Sequence, residues 1–463
     1  MKQIYPMSSR HEGVERRREE SRSAALALFV AALFLAMLAP GAFAVDSADG
    51  GSQAGVPQRE VSDLRGAVDT HDGQRIRVNL TLGNVIIKTQ DSGKIDYTVH
   101  LEADGTARGE KQLLKSYAVT TREDADGVVL RGLTTSKLAA GHLWVTLTLN
   151  VPANYNVEVT TGGGNIQMMD LNGHASLTTE GGNIVTGNTT GALRVVTKGG
   201  HITAHNVGGD FAATTGGGHI VAGTIGGIAT LHTDGGHIQV ASIGGPGHLT
   251  TGGGNVSVEH SGNQLVAETV GGLIEVGEAA GQVQAKTAGG GIHVVRTSGP
   301  TSLESSGGSI YLTQVDSDVK ASTGNGSITA WFVAAAKKSE SNCELKSSEG
   351  DIVVYIPRQM PVTIDATIQS DERHQFYVDP AFRLLITRDP GPNGAETLHA
   401  VGSLNGGGEV VHLRTISGNI RLIASDAAKQ VEIYKQQMHQ IQANTHAQHA
   451  ESDSRAEAAK VTP

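Results

Sequence analysis

Three histidines recur at a spacing of eighteen residues, at His201, His219 and His237. Asparagines take the same place in neighbouring units, at Asn165, Asn183 and Asn255. If the repeats stack as parallel strands, the three imidazoles lie on one line about 4.8 Å apart. Adjacent imidazoles at that spacing could share zinc, copper or nickel. We favour a turn ladder instead, because Asn and His tolerate corner conformations and hydrogen-bond along a stack, and we predict no cofactor.

The repeat that would position these histidines spans residues 157–330. Apolar residues and a Thr or Ser alternate at two, nine, eleven and thirteen positions after a β-branched aliphatic, and glycines separate the two runs. Period-two alternation is typical of strands with one buried face, and glycines with positive φ suit sharp corners. We therefore predict an all-β fold, a single-stranded β-solenoid or β-helix with about ten regular coils. The aliphatic recurs every eighteen residues without insertion or deletion, at Ile166, Ile184, Ile202, Ile220, Ile238, Val256, Ile274, Ile292, Ile310 and Ile328.

The sequence on either side of the repeat is irregular. Irregular β segments at both ends are predicted to cap the solenoid, since an open sheet edge promotes aggregation. The last residues contain almost no glycine, and a helix is predicted over about 427–442. The predicted segments are a signal peptide or N-terminal membrane anchor (1–44), a flexible linker (45–58), an N-terminal β cap (59–150), the regular solenoid (151–333), a C-terminal β region that closes the solenoid (334–424) and a helical or disordered tail (425–463).

The N-terminal segment predicts export. Five arginines precede an uncharged and mostly apolar run at 24–39, and the small-x-small sequence Ala42-Phe43-Ala44 follows it. This order is typical of a secretory signal peptide cleaved after Ala44, although an uncleaved run at 24–39 would associate with a membrane. The predicted location is the bacterial periplasm, cell envelope or cell surface.

Composition excludes several classes of function. The formal net charge of −10 disfavours a nucleic-acid partner, because phosphate binding requires a basic surface. Aromatic residues make up only 4% of the chain, which argues against a large aromatic platform for sugars. Cys343 is the only cysteine, so the chain has no intrachain disulfide and no cysteine-based metal site.

Carboxylates that could serve a polysaccharide lyase or hydrolase are scattered through the repeat, and no catalytic residue is predicted. A hydrolase needs paired carboxylates in a groove, whereas each acidic residue here is most simply a solvated, outward-pointing side chain. The threonine row shares the parity of the buried positions, so it is predicted to point inward and does not form an ice-binding face. The acidic residues considered are Asp170, Asp210, Glu259, Glu275 and Asp316.

Three stretches carry a resemblance to a known family. They are LNVPANYNVEVTTGGGNI (149–166), SSEGDIVVYIPRQMPVTIDA (347–366) and LRTISGNIRL (413–422). The Val-Pro step and the recurring Gly-(Asn/Asp/Ser)-Ile corner resemble the bacterial "putative adhesin" β-solenoid family, DUF4097, over roughly 75–424. The resemblance implies an envelope-associated protein, in some cases linked to envelope-stress systems, and it implies no catalytic residues.

The predicted function is that of a non-enzymatic, exported cell-envelope module for adhesion, interaction or structure. Its partner would be an envelope protein or a glycan. One alternative is an envelope-stress regulator or sensor that acts with a membrane partner. A second alternative is a polysaccharide-active β-helix enzyme.

Overall fold

The computed structural model describes residues 60–104, 107–136, 142–315, 317–333, 342–370, 374–390 and 396–426, with Glu432, Lys435, Gln436, His439 and Ala443. The predicted signal peptide or anchor (1–44), the linker (45–58) and Asp316 lie outside the described residues. Residues Pro57–Pro463 form one compact unit. None of the helices in the described ranges is both long and apolar enough to cross a membrane.

Two long parallel sheets form the body of the molecule, which confirms the predicted β-solenoid. Each coil gives one strand to each sheet, and the next coil repeats the pair. Sheet A receives β9 (Ile166–Met168), β11 (Ile184–Thr186), β13 (Ile202–Ala204), β15 (Ile220–Ile225), β17 (Ile238–Ile243), β19 (Val256–Ser261), β21 (Ile274–Ala279), β23 (Ile292–Thr297), β25 (Ile310–Val315) and β27 (Ile328–Phe332). Sheet B receives β8 (Asn156–Thr161), β10 (Ala175–Thr179), β12 (Leu193–Thr197), β14 (Phe211–Thr215), β16 (Ala229–Thr233), β18 (Gly247–Thr251), β20 (Leu265–Thr269), β22 (Val283–Thr287), β24 (Thr301–Ser305) and β26 (Val319–Thr323).

The pairing register follows the eighteen-residue period. Ile184 lies beside Ile202 in sheet A, and Leu177 lies beside Val195 in sheet B. The recurring aliphatics are buried, and the threonine row is buried with them, so both point inward as the alternation predicts. A narrow core of stacked Ile, Val, Leu, Ala and Thr is therefore continuous from coil to coil.

The corner glycines have a different cause from the predicted one. Among the described glycines at the corners of the repeat, Gly164 has a positive φ. Gly236 does not. A Cβ on Gly236 would instead clash with the carbonyl oxygen of Gly218 in the preceding coil. Close stacking of successive corners, more than backbone conformation, therefore requires glycine here.

The strands of sheet A change shape along the solenoid. β9, β11 and β13 have three residues each, whereas the strands from β15 to β25 have six. In β19, β21, β23 and β25 the third and fourth positions are both buried, as at Val258 and Glu259, which marks a bend in the strand. At this bend the outer surface of sheet A is partly buried, and Glu259 is only 6% exposed.

The N-terminal end stacks its strands out of sequence order. β2 and β3 form a coil that pairs directly with β8 and β9, while β6 and β7 lie one layer further out. The antiparallel strands β1, β4 and β5 cover this end, and α1 contacts β4. The elements are β1 (Glu60–Asp69), β2 (Arg75–Leu80), β3 (Asn84–Gln90), β4 (Lys94–Ala103), α1 (Ala107–Ser116), β5 (Tyr117–Asp124), β6 (Gly127–Thr134) and β7 (Leu143–Pro152).

The C-terminal end uses the same device. β34 and β35 stack on β28 and β29, and the earlier strands β30 and β31 pair outside them. The outermost strand of sheet B, β32, is exposed and carries Arg388, Asp389 and Pro390, which discourage edge-to-edge association. The elements are β28 (Asn342–Ser347), β29 (Ile352–Pro357), β30 (Val362–Ser370), β31 (Phe376–Val378), β32 (Leu385–Pro390), β33 (Glu396–Leu404), β34 (Glu409–Thr415) and β35 (Ile420–Ser425).

Candidate functional site

The three recurring histidines form a stacked ladder at one corner of the solenoid. The ring centroids of His201 and His219 are 4.9 Å apart, and those of His219 and His237 are 4.8 Å apart. The backbone N–H of His219 donates to Nδ1 of His201 at 3.0 Å, and the N–H of His237 donates to Nδ1 of His219 at 2.9 Å. Asn183 Oδ1 accepts from the N–H of His201 in the same way. Asn and His therefore perform one structural task, which is to accept a hydrogen bond from the next coil.

This geometry bears on the metal hypothesis. An Nδ1 atom that accepts an N–H bond has no proton, so the proton of the neutral ring resides on Nε2. A metal could bind Nε2 only if the ring lost this proton, or if the proton moved to Nδ1. In the second case Nδ1 could no longer accept its hydrogen bond. Across the described ranges, no group of three or more His, Cys, Asp or Glu could hold a metal ion. The arrangement favours the turn ladder, and metal binding by His201, His219 and His237 stays an untested alternative.

A partly buried surface on the outside of sheet A forms the first candidate site. Alternation places the residue after each buried aliphatic on this outer side, yet Gln239 is only 2% exposed and Val295, on the outer side of the bend, 0%. On the outer face of sheet B the corresponding residues Thr230 and His232 are exposed. We call the buried and partly buried part of this surface the sheet A groove, which consists of Thr203, Val221, Gln239, Ser257, Glu259, Glu275, His293, Val295 and Thr313. Tyr311, which lies beside His293 in the same row, is 45% exposed and is not part of it.

Buried polar atoms are concentrated in the sheet A groove. Gln239 Oε1, Ser257 Oγ and Glu259 Oε1 are buried without a hydrogen-bond partner. Glu275 lies between Ser257 and His293 in the strand register, and burial raises the pKa of its carboxyl group. Such atoms are costly to bury alone, so their concentration indicates a surface built for contact.

The prediction that Glu259 is solvated is wrong, because the bend in β19 turns its side chain into the groove, where it is 6% exposed. Glu275, on the neighbouring strand β21, is half-buried as well. Asp170 and Asp210 are exposed as predicted.

A cavity on the outer face of sheet B forms the second candidate site. Its volume is about 540 Å³, and five successive layers of the solenoid line it. Charged groups of both signs meet there, with Arg75 and Glu158 3.8 Å apart. The charged and titratable lining residues are Arg75, Glu158, His174, Arg194 and Asp210.

No protein-family model matches the chain, and no curated protein matches it. Among solved structures, a "putative cell adhesion protein" of Clostridium sporogenes is similar at 7% identity and a TM-score of 0.16, covering 79% of this chain and 100% of its own. A "putative adhesin" of Bacteroides fragilis gives 10% identity and a TM-score of 0.20, covering 79% and 99%. A putative adhesin of Parabacteroides distasonis gives 14% identity and a TM-score of 0.23, covering 59% of this chain and 90% of its own. Scores this low carry no argument, so the fold rests on the strand register.

Proposed function

We propose that this protein is a non-enzymatic, exported interaction module of the bacterial cell envelope that binds an envelope protein or a glycan through the outer face of sheet B. The observation that carries this proposal is the charged cavity of about 540 Å³ on that face. Arg75 and Arg194 offer hydrogen-bond donors there, and Glu158 and Asp210 offer acceptors, within one concave surface. Such a surface on an exported solenoid supports an adhesin-type role.

The solenoid suits this task because its ladder fixes the lining side chains before a partner arrives. Arg194 belongs to β12, which is paired on both sides by β10 and β14. A preorganised surface loses little conformational entropy on binding, and repeated weak contacts along a rigid face add together. Because aromatic residues are scarce, recognition would depend on charge and hydrogen bonds more than on stacking.

The test compares charge reversals at two exposed positions of sheet B in the full chain. Arg194→Glu changes the cavity, whereas Lys320→Glu makes the same change on β26, seven coils away. Each variant is tested by pull-down from envelope extract and on a glycan array. We expect Arg194→Glu to lose at least about tenfold in binding, as truncation of a central charged contact does, and Lys320→Glu to bind normally. Equal binding by both variants would remove the cavity from the account.

One observation favours a second candidate function, which is polysaccharide hydrolysis. Glu259 and Glu275 lie on the neighbouring strands β19 and β21 of the sheet A groove, and the pKa of Glu275 is raised by burial. A carboxyl group with a raised pKa, paired with a second carboxylate, is what a glycosidase uses. Turnover of a glycan panel that is lost in Glu275→Gln would establish this function, and the absence of turnover in the unaltered protein would dismiss it.

A further inference from the structure

Sheet A has an open edge at the N-terminal end of the solenoid. Among the strands that the structure describes, β1 pairs with β4 alone, in an antiparallel register that is unbroken along the whole strand. β1 has ten residues and contains neither proline nor lysine, two residues that commonly protect an edge. The other outermost strands of the described ranges, β5, β31 and β32, are shorter, and β32 ends in Pro390. β1 is therefore the edge that most readily accepts a further strand.

The backbone groups on the open edge of β1 belong to its odd-numbered residues. The N–H of Thr70, directly after β1, donates to the carbonyl oxygen of Gly93 at 3.0 Å, directly before β4. Successive residues of an antiparallel strand direct their backbone groups to opposite edges, so the even-numbered residues of β1 face β4. The open edge therefore presents the N–H and C=O groups of Val61, Asp63, Arg65, Ala67 and Asp69.

The order of charges along β1 makes this edge complementary to itself. A two-fold axis that joins two identical strand edges makes the strands antiparallel. With the axis at Leu64, Asp63 of each copy lies opposite Arg65 of the other. An axis at Asp63 or at Arg65 would place like charges opposite each other, which is destabilising. An axis between two residues would pair odd with even positions, whose backbone groups point in different directions.

We propose that β1 pairs with β1 of a second copy of this chain across a two-fold axis at Leu64, so that sheet A continues through the dimer. The odd-numbered residues from Val61 to Ala67 would exchange about eight backbone hydrogen bonds with the second copy. The side chains of Asp63 and Arg65 are 38% and 73% exposed and lie 3.2 Å apart within the strand. Nδ1 of His100 on β4 lies 2.8 Å from the same carboxylate and helps to hold it in place.

The dimer would join two solenoids along one sheet. Directly opposite residues of an antiparallel pair share one face of the sheet, so the two sheet B faces would point in the same direction. The sheet B cavity lies near this end, since β2 and β8 carry Arg75 and Glu158. Two cavities on one side would hold a repetitive partner more tightly than one cavity does. The pairing itself concerns sheet A and does not rest on binding by sheet B.

The test exchanges the two charges in the full chain. Asp63→Arg places an arginine opposite Arg65 of the second copy, and Arg65→Asp places an aspartate opposite Asp63 of the second copy, so each variant repels itself. A mixture of these two variants restores opposite charges at both positions, because residue 63 of one chain faces residue 65 of the other. Arg122→Asp is the matched control, since it makes the same change at an exposed position of the edge strand β5 in sheet B.

Analytical ultracentrifugation gives the dissociation constant of each dimer. We expect the unaltered protein and Arg122→Asp to dimerise equally, and each of the other single variants to dimerise at least about tenfold more weakly. The mixture should recover the dimer, because its charges are complementary again. A monomeric unaltered protein, or a dimer that neither Asp63→Arg nor Arg65→Asp weakens, would overturn the proposal. A mixture no more dimeric than its two components would overturn it as well.

A thiol on the two-fold axis checks the register independently. Leu64→Cys places two thiols opposite each other in a non-hydrogen-bonded pair, where a Cα separation of about 4.5 Å permits a disulfide. Ala67→Cys is the control, because position 67 is more exposed than position 64 and faces residue 61 of the second copy. The native Cys343 is 1% exposed and contributes little. Mild oxidation should cross-link the Leu64 variant at least about tenfold faster than the Ala67 variant, and equal or reversed rates would contradict this register.

Discussion

The buried threonine row provides the sharpest test of how the coils are joined. Thr233 is 0% exposed, and its Oγ1 donates to the carbonyl oxygen of Gly218 at 2.8 Å. The same Oγ1 accepts the N–H of Gly236 at 3.1 Å. Thr233→Val keeps the shape of the side chain and removes both bonds. Leaving these two backbone groups buried without that partner costs about 1–2 kcal/mol each, so the free energy of unfolding should fall by about 2–4 kcal/mol.

Two further variants isolate the hydroxyl. Thr233→Ser keeps both bonds and loses one methyl group, so it should cost only about 1 kcal/mol. The chain itself uses this arrangement at Ser305, whose Oγ donates to Gly290 O and accepts from the N–H of Gly308, both at 2.8 Å. Thr230→Val changes an exposed threonine of the same strand and should stay within about 0.5 kcal/mol of the unaltered protein. Urea titration followed by circular dichroism measures all three, and equal stability of Thr233→Val and Thr230→Val would refute the reasoning.

Three other predictions follow from single residues. Gly236→Ala should lower the free energy of unfolding by more than about 3 kcal/mol, because its Cβ would meet the Gly218 carbonyl. Gly235→Ala, whose Cβ would meet nothing within 4 Å, should cost under about 1 kcal/mol. Equal urea midpoints for the two variants would contradict this prediction. Burial raises the pKa of Glu275, so its stabilising contribution is complete below about 4.5, its ordinary value, and is lost as the pH rises through the raised pKa. Glu275→Gln should remove that loss of stability. Parallel curves of the free energy of unfolding against pH for this variant and the unaltered protein would contradict the prediction. Cys343 should resist thiol reagents in the folded protein and react only after unfolding; prompt labelling without denaturant would disprove its burial.

The regular part of the fold could be predicted because one period decides every position. Ile166 and each residue eighteen further along had to be equivalent, and the alternation after it had to place Leu177 and Thr179 inside. The structure places all three in the core. Stacking equal units leaves no other arrangement that buries the same face in every coil.

The ends and the groove could not be predicted in the same way. Nothing in the order of the sequence shows that β2 pairs with β8 and that β6 lies outside it, since this depends on contacts far apart in the chain. The alternation of inward and outward residues predicts a solvated Glu259, because that pattern does not include a bend in the strand. The signal was available in the small or apolar residues at the equivalent positions, Gly277 and Val295, which are unusual on a solvated surface.

The most direct measurement of the central claim is site-specific cross-linking in intact cells. A photoreactive amino acid replaces Arg194 in the sheet B cavity, and a matched variant carries it at the exposed Lys320 of the same sheet. The account predicts a defined adduct with one envelope component from position 194 and none from position 320. The absence of any adduct at 194, or the same products from both positions, would contradict binding through this face.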